Sequence, residues 1–243
     1  MYRRFFAITA GVSLFVLGCE SDKSITTTPP VTALVRFVNA TVSDTIDLAI
    51  SGLANPVNGN IAFGGASGCL TVTAANPTLT FRRKGTTTDL TGFTPSFTAG
   101  KSYWVVAVTG ASALEFVTLE QTFAPTDPKL DAGIASLNAI NGGGPFDTHI
   151  TLPAGTLSST TVKNANLAFK TPSAFANDPL VFNTATPPVQ QPQQLQFTNA
   201  GALTVVRNHG NVTLGVNTQN LAIIAPGAPA TPTTLRSIVN GGC

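Results

Sequence analysis

The sequence predicts an all-β protein built from two tandem antiparallel β-sandwich domains. Three observations predict it. Hydrophobic residues make up 43% of the 243 residues and charged residues only 10%, against roughly 25% in an ordinary globular domain. Thr, Val, Ala, Gly, Asn and Pro dominate, while the helix formers Glu and Lys are scarce, which favours strands and turns. Short apolar runs of strand length alternate with turn residues along the chain, and no stretch sustains a 3.6-residue period. Finally, Ala33-Leu34-Val35-Arg36-Phe37-Val38-Asn39-Ala40 returns in weaker form as Gly133-Ile134-Ala135-Ser136-Leu137-Asn138-Ala139. Each copy ends in Asn-Ala and leads through a turn into an Asp-led strand. Low charge here does not mean disorder, which needs low hydrophobicity as well.

Residues 1–18 read as an export signal. Arg3 and Arg4 form its basic start, and Phe5 to Leu17 its apolar stretch. That stretch is shorter than the ~20 apolar residues of a membrane-crossing helix. It ends in Val16-Leu17-Gly18-Cys19, which resembles the lipobox of bacterial lipoproteins, with Leu17 departing from the small residue usual at its position. The resemblance implies that the Cys19 sulfur receives a diacylglycerol, that the preceding peptide is removed, and that the new amino terminus is acylated. Several acyl chains, at ~0.8 kcal/mol per buried methylene, give a stable anchor where one does not. The competing reading is an ordinary secretory signal with an incidental Cys. Residues 19–30 carry Ser, Asp, Lys, Thr and Pro without apolar periodicity and are expected to tether the first domain off the bilayer. Glu20 is not the Asp that retains such lipoproteins in the inner membrane, so outer-membrane placement is expected.

Domain 1 is expected over residues 31–123. Its strands are read at Leu34–Val38, Ile46–Ile50, Ile61–Phe63, Cys69–Thr73, Leu79–Arg83, Leu90–Phe97, Tyr103–Val108 and Leu114–Leu119, with turns at Gly64-Gly65, Gly85 and Ala99-Gly100. Tyr103 to Val108 is apolar on both pleat faces, which predicts a central strand. Residues 124–131 form a Pro-containing linker too short for wide separation, and domain 2 follows over 132–243. There Asn166-Leu167-Ala168-Phe169 echoes Asn60-Ile61-Ala62-Phe63, and Leu203–Arg207 with Gly210 echoes Leu79–Arg83 with Gly85. Leu221–Ala225 stands where Trp104–Val108 stood. Between them Thr171–Gln194 reads as a grown loop, mobile first and functional second.

The order Val-Arg-Phe-Val-Asn-Ala, the strand Asp47-Leu48-Ala49-Ile50, Phe63-Gly64-Gly65-Ala66-Ser67-Gly68 and Leu70-Thr71-Val72 continue into Ala99-Gly100-Lys101-Ser102-Tyr103 and Val105–Val108. This order resembles the domain-of-unknown-function 4397 family, well over 33–120 and weakly over 132–243. The resemblance implies tandem immunoglobulin-like β-sandwiches in a bacterial envelope protein. It brings no activity and no functional residues.

Several constellations can be weighed for chemistry. Asp147 and His149 share one face of a strand, but zinc needs three or four ligands. A solvated or hydrogen-bonded strand face is the plainer reading, and His209 sits where a hairpin turn belongs. Gly100-Lys101-Ser102 resembles the end of a phosphate-binding loop, yet Pro95 stands where its first Gly belongs and a strand follows. Gly65-Ala66-Ser67-Gly68-Cys69 lacks the second Gly of a nucleophile elbow. Asp44 and Asp47 read as turn residues bonding their own backbone, and Arg82-Arg83-Lys84 as a solvated hairpin end. Of 13 Lys and Arg, Arg3 and Arg4 leave with the signal, so the 11 acidic side chains are matched one for one. A neutral chain offers no field for nucleic acid. With Cys19 assigned to lipid, Cys69 and Cys243 remain, either bridged, as the envelope permits, or as two free thiols.

No cofactor, metal site or catalytic residue is expected. The expected function is a lipid-anchored envelope protein with a non-catalytic binding or structural role. Its partners would be the membrane, through acyl chains on Cys19, and an envelope glycan or protein. The alternatives are a subunit of an envelope complex, or a glycan hydrolase with carboxylates drawn from separate loops.

Overall fold

The alternating runs of the N-terminal half fold into β1 (Thr32–Asn39), β2 (Ile46–Ile50), β3 (Asn58–Ile61), β4 (Leu70–Thr73), β5 (Leu79–Arg83), β6 (Ser102–Thr109) and β7 (Leu114–Glu120). The C-terminal half supplies β8 (Asp131–Asn138), β9 (Phe146–Thr151), β10 (Val162–Leu167), β11 (Ala176–Pro179), β12 (Gln193–Asn199), β13 (Val205–Val212), β14 (Gln219–Pro226) and β15 (Leu235–Gly241). Among the described residues, a 3-10 turn at Ser159–Thr161 is the only helical piece. The structure is a computed structural model describing residues 31–41, 44–50, 57–74, 79–90, 93, 96–111, 113–182, 189–227 and 235–243. The expected signal, the tether and Cys19 lie outside the described residues.

Four sheets result, with strand orders β4-β1-β6-β7, β3-β2-β5, β11-β8-β14-β15 and β10-β9-β12-β13. Each half is thus a sandwich of one four-stranded inner sheet, holding β1 and β6 or β8 and β14, and one outer sheet. Pairing is antiparallel except for β1 with β6 and β8 with β14, which run parallel. A parallel pair needs a long crossover, and here the strands that detour through the outer sheet supply it.

Three apolar clusters fill the spaces between sheets. Ala33, Val35 and Phe37 of β1 and Tyr103, Val105 and Ala107 of β6 meet Ile46, Leu48 and Phe81 in the N-terminal sandwich. Ile134, Ala222 and Ile224 meet Phe146, Leu195 and Phe197 in the C-terminal one. The third cluster lies between the two inner sheets: Val38, Trp104, Val106, Val108 and Val117 pack against Ala135, Leu137, Leu221, Ile223 and Ala225. The inner sheets are therefore apolar on both faces, and four layers stack in the order outer, inner, inner, outer. Because side chains alternate along a strand, odd residues of β6 serve the sandwich core while Trp104, Val106 and Val108 serve the shared one. This is why Tyr103–Val108 carries no polar residue on either face.

The structure differs from the sequence reading at several points. Among the described residues, Leu90, Phe93 and Phe97 form no strand. They pack as side chains against the N-terminal core, where Phe93 lies 4.9 Å from Phe116 and 5.1 Å from Phe81. The echo at Leu203–Arg207 is displaced by one strand. β12 pairs with β9 as β5 pairs with β2, setting Phe197 opposite Thr148 as Phe81 stands opposite Leu48. β13 is an added edge strand, matched in the N-terminal sandwich by a single bridge from Arg82 to Asp89. His209 accordingly lies within β13 rather than in a turn. Thr171–Gln194 is not one grown loop: it contains β11, which pairs with β8 as β4 pairs with β1. Residues 183–188 of that stretch lie outside the described residues.

Candidate functional site

The repeat that organises the sequence organises the polar interior as well. β1 and β8 each end in a buried Asn. The Asn39 amide donates to the carbonyls of Ile61 (2.8 Å) and Asp44 (2.7 Å), while its oxygen accepts from the Thr41 N–H (2.9 Å). Asn138 donates to Leu167 (3.1 Å) and Gly144 (3.3 Å) and accepts from the Ile140 N–H (2.9 Å). Each side chain thus closes its strand and staples it to the strand crossing over from the outer sheet, as buried polar groups must be partnered. Asp47 and Asp147 form a second matched pair. Their Oδ1 atoms accept from the N–H groups of Asn60 (2.6 Å) and Asn166 (2.7 Å). Both of those Asn residues hold positive φ, 64° and 55°, a left-handed conformation that Asn tolerates. Asp47 therefore fixes the backbone of another strand and is not a turn residue bonding itself.

His149 is fully buried. Its Nδ1 lies 2.9 Å from Thr161 Oγ1 and its Nε2 3.1 Å from Thr198 Oγ1, so both ring nitrogens are occupied by hydroxyls. Burial pushes the imidazole below its ordinary pKa, against the opposing pull of the Asp147 charge. Asp147 also accepts from the Gly201 N–H (2.8 Å). The same-face pair seen in the sequence is thus a hydrogen-bonded structural post. No cluster of three or more His, Cys, Asp or Glu that could hold a metal occurs among the described residues. Ser67 accepts from the Phe37 N–H at 2.9 Å and donates to the Gly68 carbonyl at 2.7 Å, and Ser102 opens β6. Arg82 corrects the reading of its basic run. It is buried and paired with Asp89 at 2.6 Å, while Arg83 pairs with Asp44 at 2.8 Å on the surface.

The junction of the two sandwiches is where the structure adds most. Cys69, just before β4, is bonded to Cys243, with a Cα–Cα separation of 5.7 Å, an ordinary span for a disulfide. Arg36 donates to the Gly241 carbonyl (2.9 Å), as does the Trp104 indole (3.2 Å), and Gln121 Oε1 accepts from the Cys243 N–H (2.7 Å). Residues 241–243 are therefore clasped by the N-terminal sandwich. Lys170 and Glu115 form an ion pair at the other end of the same junction. Sequence reasoning missed Arg36, Trp104 and Gln121 as clasp residues; as isolated polar side chains they carry no local pattern, and only the docking of the sheets brings them together.

Among the clefts of the described surface, three are well formed. One of 360 Å³ lies beside the clasp, lined by Gln121, Asn217, Gln219 and Asn220 with the backbone of 241–243. A second of 270 Å³ is lined by Asp44, Arg83 and residues around Gly110. A third of 360 Å³ is lined by Asp147, Ser158, Ser159 and Gly201 to Leu203. None is lined by two carboxylates. The amide-lined cleft can exchange hydrogen bonds with a neutral polar ligand, and the other two each offer a single carboxylate already engaged by a partner.

The fold and these sites define an all-β protein of two β-sandwiches docked face to face, whose polar interior residues serve the architecture. The model of a family described as "Domain of unknown function (DUF4397)" matches residues 33–147, and over that stretch the chain resembles the family. The match runs past the linker into β9, and so takes in both members of the Asn39/Asn138 and Asp47/Asp147 pairs. No curated protein matches the chain. Among solved structures, the family 26 carbohydrate-binding module CBMbc of Eubacterium rectale Amy13K, in complex with maltoheptaose, is similar. It is 14% identical over 86% of this chain and 96% of that one, with a TM-score of 0.25. So slight a likeness carries no argument about fold or ligand.

Proposed function

We infer that the chain is an exported, lipid-anchored protein of the cell envelope, in the outer membrane where the host has one. Its anchor is acyl chains on Cys19, and its role is non-catalytic binding or structural support at the surface. The observation that carries this reading is where the ionisable side chains go. Asp47, Asp147, His149 and Arg82 are all spent on holding strands and turns. None of the three clefts brings two acids together, as glycoside hydrolysis by paired carboxylates at about 5 to 10 Å requires. The Cys69–Cys243 bond fits an oxidising compartment outside the cytoplasm, and the residues Val16 to Cys19 supply the address.

Two measurements test the reading. Labelled palmitate should enter the protein in a bacterial host and be lost in Cys19→Ser; labelling that survives the substitution refutes the anchor. A glycan array and a pull-down with the soluble Ser21–Cys243 fragment should return a ligand or a stoichiometric partner. Silence in both refutes a binding role and leaves a structural spacer.

A further inference from the structure

The strands fix which loops share an end of the molecule. β1 and β8 begin at the same end: just past the end of β7, Gln121 and Phe123 meet Cys243 and Gln219 beside the start of β14, while at the other end Glu115 of β7 pairs with Lys170, which is bonded to the last residue of β8. The preceding chain joins the block at this end, at Val31. Large aliphatic side chains crowd the same end. Val31 and Leu34 stand at the start of β1, and Leu130, Val181, Val189 and Val216 stand around the start of β8, all between 37% and 55% exposed. Backbone bonds from Leu180 to Leu130, from Gln191 to Val181 and from Asn217 to Asp131 hold the last four side by side. At the opposite end only Leu203 and Val205 are comparably exposed among the described residues. Exposed aliphatic side chains gathered at one end of a protein mark a candidate interaction site.

Chain length says what covers it. Val31 stands twelve positions after Cys19, so the junction stays within about 40 Å of any acyl chain on Cys19, even fully extended. A short tether gives this end a higher effective concentration at the bilayer than the opposite end. We propose that the aliphatic rim around Val31 and Leu130 is a bilayer-docking surface. Its side chains enter the headgroup boundary of the leaflet that holds the anchor, as apolar faces of peripheral proteins do. The tether is then a leash and not a spacer, and the Leu203 end points away from the membrane. The inference takes its tether from the lipid-anchored reading, while the rim itself does not depend on it.

The test uses residues 31–243, one compact unit with all three apolar clusters, held by an amino-terminal hexahistidine on vesicles containing a nickel-chelating lipid. An environment-sensitive dye is placed at Val216→Cys or at Leu203→Cys, and quenching by nitroxide-labelled lipids is read. Quenching at 216 should exceed that at 203 by ~3-fold or more, and should fall to the 203 level when Leu130→Ser and Val181→Ser are added. Trp104 emission confirms that each variant is folded. Equal quenching at both positions overturns the proposal, as does a rim dye left unquenched by lipid but shielded by a second copy of the chain. Palmitate that never enters the wild-type full chain, with the quenching of residues 31–243 intact, removes the anchor and keeps the rim. Labelling retained without quenching does the reverse.

Discussion

Replacing Phe197 with Ala tests whether the two sandwiches unfold as one. Phe197 is fully buried in the C-terminal core, and truncating such a ring costs about 3 to 5 kcal/mol. Trp104, the only Trp of the chain, sits in the other sandwich, on the face of β6 turned to the shared cluster. Parting the sandwiches would bare Val38, Trp104, Val106, Val108 and Val117 on one side and Leu137, Leu221 and Ile223 on the other. At ~1.5 kcal/mol or more for each large apolar side chain, the cost is on the order of 12 kcal/mol. That is comparable to the whole stability of a typical domain, so neither sandwich outlives the other. In urea, with the disulfide intact, Trp104 emission and far-ultraviolet dichroism should lose their signals together in wild type. In Phe197→Ala both midpoints should move down together by roughly 1 to 2 M, for a slope near 3 kcal/mol per M. A dichroism midpoint that drops while the Trp104 midpoint stays fixed would refute the coupling.

Three further outcomes follow from the same contacts. Asn138→Ala leaves the Ile140 N–H and the Leu167 carbonyl unpartnered in the interior and should cost about 2 to 4 kcal/mol by chemical denaturation; Asn39→Ala should match it, because its bonds are the same. Reduction, or Cys243→Ser, removes a crosslink between residues 174 apart and should cost up to ~5 kcal/mol in the chain-entropy model, less if the Arg36, Trp104 and Gln121 bonds keep the tail in place. Because burial depresses the folded pKa of His149 below 6.5, the unfolded chain binds that proton first as pH falls. Its contribution to stability is therefore complete above pH 6.5 and is lost as pH drops through the folded pKa. His149→Gln should flatten that slope between unfolding curves taken at neutral and mildly acidic pH, and a slope that persists would reassign it. Asp131, held below its ordinary range chiefly by the Asn177 amide, adds the same sign of dependence only at lower pH.

Much of this architecture was legible because β structure writes itself locally. Ile46–Ile50 and Leu79–Arg83 are strands with the bounds their pattern predicts, and Leu221–Ala225 pairs with β8 in the register that Trp104–Val108 keeps with β1. Asn39 and Asn138 were legible as strand ends, since a short amide side chain bonding its own backbone is a local event. Less legible were features whose partners lie far along the chain. Leu90, Phe93 and Phe97 have strand composition but serve as core lids. Arg82 belongs to a basic run but is withdrawn from solvent by Asp89. The likeness of Leu203–Arg207 to Leu79–Arg83 is one of composition, and the pairing of β9 assigned the equivalent place to β12.

The sequence by itself determined the class of fold, the repeat and the both-face apolar strands, because alternation and turn chemistry act over a few residues. The expectation of a lipobox at Val16 to Cys19 falls outside the described residues and stays a matter of sequence. Only the tertiary structure decided what the second apolar face of β6 and β14 is for. Two inner sheets bury those faces in each other, because neither outer sheet can reach them and water would leave them bare. The same docking sets Cys69, Arg36 and Gln121 around the last three residues and gathers the aliphatic rim at one end. These are relations between segments a hundred or more residues apart, which no local pattern encodes.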